Sequence, residues 1–296
     1  MDEATQPMSN SPEAGTPASG SAPAPPSGEE QQSLWPLEGT PFPPEVVPVP
    51  SSLPDPPWSL KDLGIFLAFT VFTFLFINLA AAIGILFLGP RFGWDSSLRD
   101  AFMQTPYIIS MHVLWEGLML LFIYYTVTAK YGRRFWEGIR WVRRQEHESA
   151  FFLGGIGLGV LMAILFQFFH SEKRLPIEEL FSSEASGYML AFFGICVAPF
   201  FEELVFRGFF YPVFERLWGM LTAVALSAFL FALIHAPQLS GAWPEMVAIL
   251  LVGTVLSYAR GKTGSLVPPY LLHVGYNTTL FTFLYVTTDR FRAFER

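Results

Sequence analysis

The sequence predicts an all-α protein: a polytopic transmembrane helix bundle of about seven spans (six to eight) behind a disordered N-terminal tail. Three observations predict it. Of 296 residues, 52% are hydrophobic and only 15% charged, at a mean hydropathy of +0.40, where a soluble domain carries about 25% charged residues. From Leu60 onward, apolar stretches recur at lengths that suit a bilayer, which takes about 20 residues to cross as helix. Those stretches are rich in Leu, Phe, Ala and Ile. Lipid offers the backbone no hydrogen bonds, and membrane strands are shorter and alternate, so the stretches are helices.

The elements follow in order. Residues 1–57 hold 15 of the 24 prolines and no Lys or Arg, and "SAPAPPSGEEQQ" shows no hydrophobic period. This composition cannot build a core and reads as a disordered tail; it lacks the basic and apolar regions of a signal peptide. Residues 58–296 form the integral membrane domain, with spans expected at about 62–89, 107–128, 150–170, 188–213, 219–235, 245–259 and 266–287. The sixth is short and reads as a tilted or partial span. The net charge of −7 belongs to the tail, and no basic, aromatic-interleaved surface argues for nucleic acid. The loop "AKYGRRFWEGIRWVRRQEHES" at 129–149 carries six Lys and Arg. The positive-inside rule places it in the cytoplasm, and counting back two spans puts the tail there too. Arg216, Arg260 and Lys262 then fall on the same side, and the acid-rich loop 171–187 falls outside. The single cysteine, Cys196, excludes an internal disulfide and reads as a small buried hydrophobe. The run "GGIGLG" at 154–159 lies inside a span and reads as close helix packing rather than a dinucleotide loop.

Ionisable residues at the centre of a span cost about 2.5–3.5 kcal/mol each on the insertion scale, and they usually face the bundle interior. Three spans carry them. In "EELVFR", Glu203 and Arg207 are four apart on one helical face and can pair. Glu202 is turned about 100° away and lacks a partner in the motif, which suits a general base. Read alone, the motif is equally a salt-bridged cluster at a span end. In "FALIH", Phe231 and His235 are one turn apart, and His235 alone reads as an interfacial residue. In "HVGYN", His273 and Asn277 share a face, and alone they read as hydrogen-bond glue between helices. Together, a carboxylate, two imidazoles and an amide supply what water activation and oxyanion stabilisation require. Vertical spans would set these groups at different depths, so the convergence needs tilt. His112 and Glu116, one turn apart in span two, are the competing polar pair and read as structural. No "GxSxG", "HExxH" or "GxxxxGK[ST]" occurs.

In this order and on separate spans, "APFFEELVFRG", "FALIH" and "HVGYN" resemble the motifs of the CAAX protease and bacteriocin-processing (CPBP) family of intramembrane endopeptidases. The family pattern is EExxxR, FxxxH and HxxxN, and the resemblance covers about residues 150–290. It implies hydrolysis of a peptide bond in a membrane-associated or lipidated, CAAX-like protein or peptide. Glu202 and His235 would activate water, His273 and Asn277 would hold the oxyanion, and Glu203, Arg207 and Phe231 would support the site. The resemblance favours a glutamate mechanism without cofactor. Zinc on Glu202, His235 and His273 is the alternative, since a carboxylate with two histidines is a plausible zinc set. It also implies a bacterial plasma membrane as the location and the lipid bilayer as a partner. A non-enzymatic transporter, receptor or scaffold using the same polar cavity is the competing class.

Overall fold

The structure, a computed structural model, describes residues 56–92, 104–143, 147–169, 176–239 and 242–292. The expected tail, except Pro56 and Pro57, lies outside the described residues, as does His170. Among the described residues the chain is helical and contains no strand.

Helix α1 (Leu60–Leu88) begins where Ser59 N–H donates to Asp62 Oδ2 at 2.8 Å. Asp62 also receives the Tyr131 hydroxyl at 2.7 Å and the Lys130 ammonium. One carboxylate therefore fastens the start of α1 to the end of α2 (Thr105–Tyr125), which runs on as a π-turn, Thr126–Lys130. A short α3 (Phe135–Gly138) follows in the basic loop, then α4 (Glu148–Phe169). The fourth span is compound. It comprises α5 (Glu184–Phe192), a π-segment (Phe193–Val197), α6 (Ala198–Glu203) and a second π-segment (Leu204–Phe210). It leads into α7 (Tyr211–Leu239), which breaks at Gly219, where φ is 79°. Helices α8 (Trp243–Thr263) and α9 (Val267–Thr287) complete the bundle.

Seven spans were expected, and the helices coincide with them once the break at Gly219 separates the fourth from the fifth. Four stretches are long and apolar enough to cross a membrane by length and composition: Leu60–Leu88, Thr105–Lys130, Glu148–Leu165 and the 56-residue Glu184–Leu239. The sixth expected span, 245–259, lies within a longer helix that is not one of these four. Helix α8 runs 21 residues, because the polar turn ending at Lys262 stays helical until Gly264 takes φ 64° as the C-cap.

The molecule is apolar outside and polar within. Val71, Phe72, Leu75, Phe76 and Leu79 of α1 are exposed, whereas Glu116, Glu203, Arg207, Ser257, Arg260 and His273 are buried. This is the arrangement expected of an integral membrane protein. The "GGIGLG" run does serve close packing. A Cβ on Gly155 would strike the Leu272 carbonyl, one on Gly159 would strike Thr279, and one on Gly275 would strike the Phe152 carbonyl. Helices α4 and α9 thus meet backbone to backbone, and this fixes the height of His273 beside Leu272. Cys196, expected to be buried, is exposed. It is two residues on from Gly194, and it is Gly194 whose hydrogen face is packed on the Phe281 ring.

Candidate active site

The two π-segments flank the six residues of α6, which end in Glu202 and Glu203. A π-turn widens the register to i→i+5 and leaves carbonyls short of their usual amides, which a low-dielectric interior makes costly. Side chains satisfy them here. Asn277 Nδ2–H donates to the Gly194 carbonyl at 2.6 Å, Arg260 Nε–H to Arg207 O at 3.0 Å, and the Trp58 indole to Phe209 O at 2.8 Å. Three separate parts of the chain are thereby tied to the irregular helix that carries the glutamates.

Glu203 and Arg207 form the expected pair. Their Oε1–Nη1 distance is 2.9 Å, and both side chains are 0% exposed. The rest of the guanidinium is used as well, with Nη2 donating to Gly253 O at 2.9 Å and Nε to Ser257 Oγ at 3.2 Å. Its face lies 4.5 Å from the centre of the Phe231 ring. Phe231 is therefore a platform for the cation, a role that spacing did not reveal.

His273 joins the pair. Its Nδ1–H donates to Glu203 Oε1 at 2.9 Å, and its Nε2 lies 3.6 Å from Glu202 Oε2. A continuous chain results, Arg207–Glu203–His273–Glu202, linking α9 to α6. The depth mismatch expected of vertical spans is absent between these two helices. Glu202 has 20% of its side chain exposed while Glu203 has none. Only the first of the two can meet water or substrate.

His235 does not touch Glu202. Its Nδ1–H donates to the Phe231 carbonyl at 2.7 Å. A carbonyl can only accept, so this bond fixes the tautomer and leaves Nε2 with a free lone pair. Both imidazoles pack on the same ring, with centroid distances from Phe231 of 4.8 Å to His235 and 5.7 Å to His273. Glu202 and His235, expected to activate a water together, form no direct bond with each other. Asn277 is half-buried, with one amide hydrogen spent on Gly194 and the other unused. The expected pair His112 and Glu116 is not bonded either. His112 Nδ1–H goes to Ile108 O at 3.0 Å, while Glu116 is buried with Oε2 lacking a hydrogen-bond partner.

Among the described residues, no three His, Cys, Asp or Glu side chains are gathered to hold a metal ion.

The aromatic loop lies beneath the site. Trp141 packs on Phe200 at 5.7 Å and on Tyr270 at 5.3 Å, and Trp136 on Phe200 at 6.5 Å. Ser265 Oγ–H holds the Val142 carbonyl at 2.6 Å, and Leu266 N–H holds the Arg140 carbonyl at 2.9 Å. The loop expected to lie at the interface is thus docked on the residues that precede Glu202 and His273.

Residues 184–279 match the family model described as Rce1-like, type II CAAX prenyl endopeptidase. The match bears out the resemblance drawn from the three motifs and spans all of them. No curated protein and no solved structure matches the chain.

Proposed function

From a segment that matches the Rce1-like endopeptidases, we propose that the protein is an intramembrane endopeptidase. Its substrate is a membrane-associated or lipidated, CAAX-like protein or peptide. One observation carries the reading: the buried chain Arg207–Glu203–His273–Glu202, in which only the last carboxylate is accessible.

On this reading the nucleophile is a water held by Glu202 and His235 Nε2, both of which can accept its hydrogen bonds. The Glu202 carboxylate takes one proton from that water, and the hydroxide adds to the scissile carbonyl carbon. The resulting oxyanion accepts from the spare Asn277 amide hydrogen and from His273 Nε2. Since Nδ1–H of His273 is given to Glu203, Nε2 donates only when the ring is an imidazolium; Glu202 and Glu203 together offset that ring and Arg207, and the oxyanion takes over the negative charge that Glu202 loses on protonation. The proton on Glu202 then passes to the amide nitrogen, the C–N bond breaks, and a carboxylic acid and an amine leave. No step is routed through a metal. The tail is cytoplasmic on this reading, as the basic loop requires.

The test is cleavage of a lipidated peptide by the purified full-length protein in detergent, using Glu202→Ala and His235→Ala. Each variant should stay folded and lose about 10²–10⁴-fold in rate, the span of a general base. Dialysis against a strong chelator should leave the wild-type rate unchanged. Wild-type rates in both variants would overturn the assignment of Glu202 and His235, and absence of cleavage by the wild-type protein would favour the non-enzymatic use of the cavity.

A further inference from the structure

The basic, aromatic loop between α2 and α4 has no task in the reaction above. Both stretches that it joins, Thr105–Lys130 and Glu148–Leu165, are long and apolar enough to cross a membrane, which sets the loop at headgroup level. The loop is folded there rather than slack. A Cβ on Gly138 would strike Val127, and Ile139 is fully buried. Leu266 N–H and Ser265 Oγ–H hold the carbonyls of Arg140 and Val142 at the start of α9. One side of the loop is thereby fixed on the bundle, and the other is left outside.

The outer side has a distinct chemistry. From Lys130 to Arg143 the chain carries five cations and one acid, Glu137. Lys130 is spent on Asp62, and Arg140 lies 3.9 Å from Glu215. Arg133, Arg134 and Arg143 are exposed. The Arg134–Glu137 pair, at 3.3 Å, is exposed on both sides, and such pairs hold too weakly to keep another anion away. Trp136 stands among these cations with 52% of its surface exposed. Its ring also packs on Trp141 at 5.7 Å and on Phe200 at 6.5 Å. A guanidinium fork matches a phosphate group, and an indole settles at headgroup level. Each basic residue near an anionic bilayer strengthens attachment about fivefold. The eight acids of residues 1–57 are a competing source of negative charge, but no more than two of them adjoin.

We propose that this loop is a binding surface for anionic phospholipid headgroups, held by Arg133, Arg134 and Arg143, and that its docking raises the rate of cleavage through Trp136. Trp136 meets Phe200 of α6, two residues before Glu202. Trp141 packs on Phe200 and on Tyr270 of α9, three residues before His273. A loop pinned to headgroups therefore steadies both helices that carry the site. The effect on cleavage rests on the protease reading; the lipid surface does not.

The experiment places the full-length protein in nanodiscs of phosphatidylcholine, with or without phosphatidylglycerol, and uses an uncharged lipidated peptide as substrate. An environment-sensitive dye on Val142→Cys in a Cys196→Ser background reports docking beside Arg143. Phosphatidylglycerol should shift the dye emission to the blue and raise the cleavage rate about fivefold, the lower end of coupling between sites. Arg133→Gln with Arg134→Gln should lose most of both effects and keep the phosphatidylcholine rate. Trp136→Ala should keep the shift and lose the rise. A wild-type emission indifferent to phosphatidylglycerol overturns the lipid surface. A shift without a rise in rate, or a rise that survives in the arginine variant, overturns its effect on the site. An arginine variant that cleaves faster than wild type in detergent, where no anionic lipid is present, would assign the loop to the acidic tail and overturn the proposal. Should the wild type cleave in neither lipid, the protease reading fails, and the dye still decides whether the loop binds anionic headgroups.

Discussion

Glu202 and Glu203 are neighbours in sequence and opposites in environment. The first has 20% of its side chain exposed and a loose 3.6 Å approach to His273; the second is sealed, with Arg207 and His273 both on Oε1 at 2.9 Å. The same substitution at the two positions should therefore fail in different ways. Glu203→Gln leaves the buried Arg207 cation without its counter-charge, and breaking such a pair from one side costs about 3–5 kcal/mol. Its thermal midpoint in detergent should fall well below wild type. Glu202→Gln should melt as wild type does and lose cleavage alone. Equal melting of the two variants would show that Arg207 is neutralised elsewhere. Asn277→Ala tests the third motif. It removes the proposed oxyanion donor, for which a loss of about 10²–10³-fold is expected, and also uncaps the Gly194 carbonyl. Asn277→Asp keeps an isosteric side chain without the donor, and it should be as inactive as the alanine variant.

At the scale of elements, the position of His273 depends on a seam of glycines. Gly155 faces the Leu272 carbonyl with no room for a Cβ, whereas Gly157, on the same helix, has nothing within 4 Å of the position a Cβ would take. Gly155→Val should push α9 away, cost about 1–3 kcal/mol as overpacking does, and displace His273 from Glu203. Gly157→Ala should change neither melting nor cleavage. If both variants cleave normally, the seam does not set the site. The same seam shows how far the sequence can be read. Span positions were visible because lipid constrains composition over 20 residues at a time, and Gly154–Gly159 stood out inside such a span. The Glu203–Arg207 bond was visible too, since partners four apart must share a helical face. The π-segments around α6 left no mark, because widening a helix by one residue changes neither hydropathy nor spacing enough to notice. The links Glu203–His273 and Gly194–Asn277 join residues 70 and 83 positions apart. Nothing local announces them.

At the scale of the whole molecule, a site drawn from separate spans works only if those spans cross the bilayer in the expected sense. The basic loop before α4 and the acidic segment after it must then lie on opposite sides. The chain's one cysteine makes this measurable. In a Cys196→Ser background, Arg134→Cys places a thiol on an 86% exposed side chain before α4, and Glu179→Cys places one at an exposed position after it. A membrane-impermeant maleimide applied to intact cells should label Glu179→Cys. It should reach Arg134→Cys only after permeabilisation, because four arginines among the described residues of that loop predict a cytoplasmic side for it. The two positions also separate two errors. Labelling of both from the same side would mean that α4 does not cross, and the glycine seam that carries His273 would then need another setting. Labelling from opposite sides in the reverse order would keep the bundle and invert it. The aromatic loop docked on Phe200 and Tyr270 would then close the site from the outer face, and a cytoplasmic lipidated substrate would have to reach Glu202 from the side that carries residues 176–180.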